Sequence, residues 1–477
     1  MTTFNKFISF LAFSAVVFFS SCTKNFEEIN TDPNRIDQIS PGTLLNPTIY
    51  GMASYNMLQY DDITANLMQV SLPFPSVSGG IHRYDLSENI GNGIWNNSYK
   101  WLNNIKEMYA ASVKAEDVNY QAIALTMNAW IYGNLTDCFG DVPMKEASRA
   151  DSGILQPKFN TQQEVYTKIL TDLDSANNLY NTTRAMAFGT DILFANNVTR
   201  WKKLTNSLRM RLLLRVYKVA EMNSLEQLLA MISNPTKYPV FSSNAEAGVL
   251  QLSGITPMVS PWGRAIDFTT FRASGKFFLD SLTAFNDPRL PKFATPAKNT
   301  GGPVYKGIPG GYAGSESQFT YTPSNLNVAL VTAPMICVVM NYAEVEFIKS
   351  EVEWRSGNAA AAQAAYEKGV KAAIEQWGAV MLANYFTNAS TAYDGSLDRI
   401  MLQKYYALYF IDYQQWFEYR RTGLPVLPVA DGMINNKMMP ARFRYPIPVR
   451  TNNPDNYKLA VESMGPDDIN TKVWWEK

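Results

Sequence analysis

Residues 342–377 read YAEVEFIKSEVEWRSGNAAAAQAAYEKGVKAAIEQW, and the spacing of their apolar side chains predicts two helices joined by a tight turn. Each half carries an apolar side chain every three or four positions, which forms one stripe along a helix. The two stripes are Tyr342, Val345, Ile348 and Val352, then Tyr366, Val370, Ala373 and Trp377. Gly357 separates them, because glycine near a helix C-terminus permits a sharp turn. The segment therefore predicts an αα-hairpin.

Helical spacing extends over much of the chain and predicts an all-α fold. Apolar stripes mark amphipathic helices at 164–180 and 201–219, and both need packing partners. A further helix is expected at 399–421, with two arginines in its last turn and a glycine and a proline after it. The Gly-Asn turn and alanine-rich second helix of 342–377 resemble a tetratricopeptide repeat, which has about 34 residues per helix pair. Several helix pairs are expected, although no strict period is visible.

Two segments interrupt the helical pattern. Residues 235–335 are rich in proline, glycine, serine and threonine and show only weak periodicity. The tail 443–475 contains Pro446, Pro448 and Pro454, which exclude long helices. Long irregular segments in compact proteins usually carry function or an interface. We therefore expect 235–335 to contribute to a functional surface.

The N-terminal sequence predicts secretion and a lipid anchor. An apolar run at 7–19 follows a lone lysine and leads through two serines to Cys22. The run is shorter than the roughly 20 apolar residues of a membrane-spanning helix, and small residues before the break suit a signal peptidase. A cysteine at the cut is typical of a bacterial lipoprotein, in which Cys22 becomes the acylated N-terminus. The alternative is an ordinary cleaved signal followed by an incidental cysteine.

This interpretation divides the chain into three parts. A lipoprotein signal peptide is expected at 1–21, and a lipidated N-terminus with a polar, turn-rich tether is expected at 22–47. The remainder, 48–477, is expected to form the binding domain described below.

Composition limits the classes of function. Hydrophobic residues make up 46% and charged residues 18%, which is typical of a globular protein. The 42 basic residues equal the 42 acidic ones, so there is no electrostatic case for binding nucleic acid. A single histidine, His82, rules out a multi-histidine metal centre, and we expect no cofactor and no metal site. Cys138 and Cys337 either pair or are small buried residues, and the sequence leaves both possibilities open.

Motifs for catalysis are not found. The sequence has no GxSxG nucleophile elbow and no P-loop. Asp137 and Asp141 flank a turn at Gly140 and are expected to make capping and turn hydrogen bonds. Four carboxylates on the first helix of 342–377 are expected to form its solvated face: Glu344, Glu346, Glu351 and Glu353. We therefore predict that the protein is not an enzyme.

Aromatic side chains in irregular regions are the predicted ligand-binding residues. A ring can stack on a sugar while amides and arginines beside it hydrogen-bond the hydroxyl groups. One candidate group has two parts. His82 and Arg83 follow a Gly-Gly break, and Trp95, Asn96 and Tyr99 follow a Gly-Asn-Gly segment. The other candidates are Trp262, Arg264, Tyr312 and Tyr321. The alternative is that each ring fills a small core beneath its loop.

Six short motifs, in order along the chain, resemble the SusD/RagB family of outer-membrane lipoproteins, specifically its SusD-like nutrient-binding branch. The resemblance runs from Cys22 nearly to the C-terminus. The motifs are FEEINTDPN at 26–34, TDCFGDVP at 136–143, WKKLTNSLRMR at 201–211, DPRLP at 287–291, EVEFI at 344–348 and WFEYRRTG at 416–423. Each is weak alone, but six in the right order are specific.

The resemblance implies an all-α, SusD-like fold, in which tetratricopeptide-like hairpins act as a scaffold and an irregular portion carries the ligand surface. It ranks the neighbourhood of Trp95 first among the candidate sites, followed by Trp262 and the loop near Tyr312. It also implies a surface-exposed position on the outer membrane and a SusC-like, TonB-dependent β-barrel transporter as partner. The lipoprotein would be the hinged lid that captures a nutrient, expected to be an oligosaccharide, and delivers it to the barrel.

Two rival classes remain open. One is a helical glycoside hydrolase, in which two carboxylates flank the bound sugar. The other is a structural lipoprotein whose helix pairs bind only protein.

Overall fold

Paired helices build most of the chain that the computed structural model describes, which is residues 39–477. The helices are α1 Pro41–Gln59, α2 Ala65–Leu67, α3 Asn92–Lys114, α4 Val118–Phe139, α5 Gln162–Leu179, α6 Val198–Arg215, α7 Ser224–Ser233, α8 Lys276–Phe285, α9 Leu290–Phe293, α10 Tyr342–Arg355, α11 Ala359–Glu375, α12 Leu397–Ala407, α13 Gln414–Thr422, α14 Ile447–Asn452 and α15 Pro454–Met464. The predicted all-α class is confirmed. The signal peptide, Cys22 and the motif at 26–34 lie outside the described residues.

Short strands join loops that are distant in sequence. They form three two-stranded antiparallel sheets. The pairs are β1 Ser71–Pro73 with β5 Arg272–Ser274, β2 Val142–Pro143 with β3 Phe159–Asn160, and β4 Gly248–Leu252 with β6 Met335–Met340. In the β1/β5 pair Leu72 lies opposite Ala273, which fixes the chain after α2 against the irregular segment 235–335.

The predicted hairpin at 342–377 is confirmed as α10 and α11. Asn341 caps α10 by accepting a hydrogen bond from the amide of Glu344 at 2.8 Å, and Asn358 caps α11 in the same way. Gly357 between the helices has φ of 79°, a left-handed conformation that glycine adopts at no steric cost. Helices α3, α4 and α5 also pack pairwise in chain order. Repeated helix pairs are thus the scaffold, as the spacing predicts.

The end of the tether differs from the sequence-based expectation. The tether was expected to reach Pro47, but α1 begins at Pro41, where a proline in the first turn costs no hydrogen bond. Leu45 and Ile49 are buried, so this segment belongs to the core and not to a linker. In the tail, α15 likewise begins at Pro454, and the helices there stay short, as expected.

The single helix expected at 399–421 is in fact two helices, α12 and α13. Between them, Phe410 and Asp412 have φ of 64° and 28°, values that an α-helix cannot contain. Asp412 accepts a hydrogen bond from the amide of Asn134 at 2.9 Å, and the Phe410 ring stacks on Tyr60 at 5.2 Å. Tertiary contacts hold this break, which no glycine or proline marks in the sequence.

The prediction that four glutamates form a solvated face of α10 is also wrong. Of its four glutamates, Glu344, Glu346 and Glu351 are buried. They face neighbouring helices, because α6, α11 and α12 all pack against α10. Each has a basic partner: Arg211 contacts Glu344 at 2.6 Å, Lys349 on the same helix contacts Glu346 at 2.6 Å, and Arg421 contacts Glu351 at 2.5 Å.

These pairs extend into a buried ionic network, defined here as Arg421, Glu351, Glu418, Lys404 and Arg215. The guanidinium of Arg421 reaches Glu351 and Glu418, and Glu418 also contacts Lys404 at 2.7 Å and Arg215 at 3.1 Å. Although burial alone would raise the pKa of the Glu418 carboxyl, the surrounding cations hold it well below its usual value. The network therefore joins α6, α10, α12 and α13.

The two aspartates near Gly140 divide in role. Asp141 accepts a hydrogen bond from the amide of Gln162 at the start of α5, at 2.8 Å, which is the kind of bond expected. Asp137 instead accepts from the hydroxyl of Tyr166 and the indole of Trp475, both at 2.7 Å. Burial raises the pKa of Asp137.

Both cysteines of the described chain have free, buried thiols. Burial raises the pKa of the Cys337 thiol to about 12 and that of Cys138 well above its usual value. Of the two possibilities left open by the sequence, the structure shows small buried residues. Within residues 39–477, none of the helices combines the length and the apolar character needed to cross a membrane.

Replacing Arg421 by Met should destabilise the fold by about 3–5 kcal/mol, because Glu351 and Glu418 would keep buried charges without their shared partner. Urea denaturation followed by circular dichroism measures this loss. The matched control is Arg264→Met, which removes an exposed arginine paired with Asp267 and should change stability little. Equal losses in the two variants would contradict a structural role for the network.

Candidate functional site

Three loop segments converge beside the β1/β5 sheet. The amide of Phe74, just after β1, donates to the carbonyl of Phe271, just before β5, at 2.9 Å. The amide of Ile308 donates to the carbonyl of Ser274 at 3.0 Å and brings in the third loop. Beneath them lies a small apolar cluster of Leu72, Ala273, Ile308 and Tyr312. Segments far apart in sequence thus share one base.

Aromatic rings cover this base, and we name the group the aromatic loop patch: Phe74, Phe271, Tyr312, Phe319 and Tyr321. Phe319 lies at the centre, with ring centroids 5.3 Å from Tyr312, 5.8 Å from Tyr321 and 6.1 Å from Phe74. Phe74, Phe319 and Tyr321 are half-buried, while Phe271 is 77% exposed. A buried edge on each half-buried ring fixes its position and leaves part of its surface open to a ligand.

Arg83 ties the loops of the patch together. Its guanidinium donates to the hydroxyl of Ser76 at 2.8 Å and to the carbonyls of Tyr312 at 3.0 Å and Gly432 at 3.2 Å. It forms no salt bridge within residues 39–477, so its charge is not neutralised by a carboxylate there. A second cation, Lys306, lies 5.2 Å from the centre of the Tyr321 ring. The patch therefore combines stacking surfaces with hydrogen-bond donors.

His82 supports the patch from beneath. It is only 2% exposed, so its ring lies below the surface and not in contact with solvent as a predicted ligand-binding residue would be. Burial, helped by the charge of Arg83, lowers the pKa of the imidazole to about 4. Its Nε2 accepts a hydrogen bond from Nε of Arg83 at 3.4 Å, which requires a neutral ring at this nitrogen. His82 thus positions Arg83.

The first-ranked candidate, Trp95, lies elsewhere. It belongs to α3 and not to a loop, and its side chain is 7% exposed. Its ring packs 5.0 Å from Tyr99, 5.3 Å from Phe139 and 5.9 Å from Tyr445. An indole enclosed on these sides has no free face for a sugar, so Trp95 fills the core. Asn96 on the same helix is exposed.

Tyr99 and Trp262 also make contacts within the scaffold. The Tyr99 hydroxyl donates to the carbonyl of Pro143 at 2.7 Å. Trp262 is 9% exposed, and its indole nitrogen donates to Asp61 at 3.3 Å. Arg264, two residues later, is exposed and contacts Asp267 at 2.6 Å. The structure therefore does not bring Trp95, Asn96, Tyr99, Trp262 or Arg264 into the patch.

Of the predicted candidates, the structure unites His82, Arg83, Tyr312 and Tyr321. Sequence reasoning missed Phe74, Phe271 and Phe319, three phenylalanines in loops. One clue was available, since each lies in a segment with several proline, serine, threonine or glycine residues, where a large apolar ring is out of place unless it packs or binds.

A scaffold of helix pairs that holds a surface built from distant loops defines the class of SusD-like proteins. The chain belongs to the SusD-like family, whose sequence profile matches residues 33–446 and is described as starch-binding and associating with the outer membrane. No curated protein is found that matches the chain.

Solved structures share the fold. A chitin-binding protein is 24% identical, with a TM-score of 0.80 over 92% of this chain and 100% of that chain. A chitin-binding SusD homologue from Flavobacterium johnsoniae is 21% identical, with a TM-score of 0.78 over 92% of this chain and 98% of that chain. A SusD homologue from Bacteroides fragilis is 23% identical, with a TM-score of 0.77 over 92% of this chain and 100% of that chain. At these identities the likeness concerns the fold.

The imidazole of His82 should titrate with a midpoint near pH 4 in the folded protein. Because this value lies below the usual pKa of about 6.5, His82 favours the unfolded chain as pH falls from about 6.5 towards 4, and its destabilising effect is absent above that window. The sole histidine makes its ring proton signals easy to identify by NMR. A midpoint near 6.5 would show that the ring is open to water and would contradict the supporting role.

Proposed function

We propose that this protein binds an oligosaccharide at the aromatic loop patch and delivers it to a TonB-dependent β-barrel transporter, of which it is the lid. The observation that carries the binding proposal is the row of half-buried rings on Phe74, Phe319 and Tyr321 beside the unneutralised guanidinium of Arg83. Two chitin-binding proteins of the same fold support a glycan as the ligand class.

The aromatic loop patch matches the two kinds of surface that a sugar presents, one apolar and one polar. The axial C–H groups of a pyranose present an apolar face that an aromatic ring covers, while the equatorial hydroxyls need hydrogen-bond partners. In the patch, Phe319 and Tyr321 lie 5.8 Å apart, close enough for one chain of sugar units to contact both. Lys306 supplies a donor at the edge, and Arg83 adds positive charge there. Because all five rings lie in loops, their replacement would change the ligand without disturbing the helices.

The lid role and the membrane anchor rest on the family and on the N-terminus. The family is described as associating with the outer membrane, and acylation of Cys22 would provide that association without a spanning helix. A lipid anchor followed by a tether lets the binding domain move while it stays beside its transporter. This arrangement supports capture of a nutrient outside the cell and its transfer to the barrel.

Replacing Tyr321 by Ala should weaken oligosaccharide binding by about 1–3 kcal/mol, which is about fivefold to 150-fold, if the ring stacks on sugar as aromatic rings stack on nucleic-acid bases. Isothermal titration calorimetry with chitooligosaccharides and maltooligosaccharides measures the change. The matched control is Tyr238→Ala, since Lys237 lies 5.0 Å from the Tyr238 ring as Lys306 lies 5.2 Å from that of Tyr321. Equal binding in the folded Tyr321 variant would contradict the proposed site.

Two further results would favour the rival classes of protein, the glycoside hydrolase and the structural lipoprotein. Release of shortened sugars during incubation, detected by chromatography, would favour a glycoside hydrolase. If no panel of soluble glycans binds while proteins do, a structural lipoprotein is favoured.

The Cys22→Ala variant should move from the membrane fraction to the soluble fraction, because it lacks the acylated cysteine. Wild-type protein captured from native membranes should bring a large β-barrel protein with it, which mass spectrometry identifies. The control for the variant is Cys138→Ser, which alters a buried thiol and should stay in the membrane fraction. Continued anchoring of Cys22→Ala would contradict lipidation, and a wild-type eluate without a barrel would contradict the lid role.

A further inference from the structure

A cleft of about 570 Å³ lies within the helix pairs and shares no lining residue with the aromatic loop patch. Helices α3, α4 and α5 form its walls, and the segment 144–149 closes one side. Its volume is within the range of about 300–1,000 Å³ that is usual for ligand sites. The proposed nutrient function makes no use of this cleft.

Unpartnered polar groups line the cleft. Asn128 and Tyr132 lie one turn apart on α4, so they point from the same face of that helix. Tyr132 is only 5% exposed, yet its hydroxyl makes no hydrogen bond within the described chain. The amide of Asn128 also has no partner there. Neither polar group is sealed from solvent, so both are open to hydrogen bonding with a ligand in the cleft.

The charges of the lining are unequal. Lys145 contacts Glu164 at 2.9 Å, and Lys168 is paired with Asp172, so these four charges cancel. Two cations remain. Lys106 donates to the carbonyl of Ser148 at 2.5 Å, and the exposed guanidinium of Arg149 forms neither a salt bridge nor a side-chain hydrogen bond within residues 39–477. The cleft therefore presents a net positive charge next to its polar floor.

A sugar fits this lining poorly. The Tyr132 ring packs edge-on against Tyr99 at 6.5 Å, and the residue is only 5% exposed. Apart from the ring of Tyr109, which is 38% exposed, the larger apolar side chains of the wall are aliphatic, namely Leu102, Ile105, Leu125, Met144 and Leu179. An asparagine amide, with its donor and acceptor side by side, matches the donor and acceptor of a peptide group. Aliphatic pockets suit apolar side chains, and the two free cations suit carboxylates.

We infer that this cleft binds an extended, acidic peptide segment of a partner protein, with Asn128 and Tyr132 on the peptide backbone and Arg149 and Lys106 on its carboxylates. The site is separate from the aromatic loop patch, so one protein would hold a nutrient on its loops and a polypeptide on its helices.

The test uses the full chain, purified in detergent, and a fluorescein-labelled octapeptide of alternating Asp and Leu, with fluorescence polarisation as the readout. The acidic peptide should bind, and salt should weaken it. Arg149→Ser and Asn128→Leu should each weaken binding about tenfold, the effect of losing one hydrogen bond to a charged or buried group. Both positions open to the cleft, so circular dichroism should show an unchanged fold.

Three comparisons make the outcome decisive. The same peptide with Lys in place of Asp should not bind. The control Lys371→Ser removes a cation from an exposed face of α11 and should leave peptide affinity unchanged. Tyr321→Ala, in the aromatic loop patch, should also leave it unchanged. Equal binding of the two peptides, equal affinity in Arg149→Ser and Asn128→Leu, or no binding of the acidic peptide would each overturn the inference.

Discussion

The scaffold depends on one requirement, which is that several charges buried between helices must all find partners at once. Arg421 and Glu351 are both fully buried, and Glu418 is shared among three cations from three helices. Removing such charges from water costs several kcal/mol for each ion, and only close, correctly directed contacts offset that cost. A shift of α13 by one turn against α10 would leave carboxylates and guanidiniums unpaired. The network therefore specifies how helices from distant parts of the chain fit together.

Fixed helices make variable loops possible. The β4/β6 pair joins the two end regions of the long irregular segment to each other, and the β1/β5 pair and the small cluster that contains Tyr312 attach its middle part to the chain after α2. Between these attachments the backbone is free to form turns that a helical bundle would not contain. The helices therefore provide stability, and the loops provide the exposed aromatic surface. Phe319 and Tyr321 are held in place by contacts within these loops, since their rings lie 5.8 Å apart and the Tyr321 hydroxyl donates to the carbonyl of Gly307 at 3.1 Å.

The sequence predicted what depends on local spacing. The hairpin at α10 and α11 was found because its two apolar stripes and Gly357 lie within one short stretch. What depends on distant partners was missed. Glu351 looked like a surface residue because nothing near it in sequence shows that Arg421 packs against it, 70 positions later. The break at Phe410 is likewise held by Tyr60 and not by a local breaker.

The same limit applies to the site. The family resemblance ranks Trp95 first, but Phe139 and Tyr445, both distant in sequence, enclose its ring. Arg83 and Tyr312 were named separately, and only the fold shows that one donates to the other. Phe74, Phe271 and Phe319 carry no polar group that would attract notice. Their importance comes from being neighbours, which spacing along the chain does not reveal.

The bonds of Arg83 have an implication for how such a surface diversifies. Two of its three acceptors in the loops are main-chain carbonyls, at Tyr312 and Gly432, which every amino acid possesses. Substitutions of side chains along these loops would leave these two hydrogen bonds intact. Single substitutions can therefore change which ligand the loops recognise while the loops keep their conformation. The chain is thus a suitable template for evolving or engineering receptors for other nutrients.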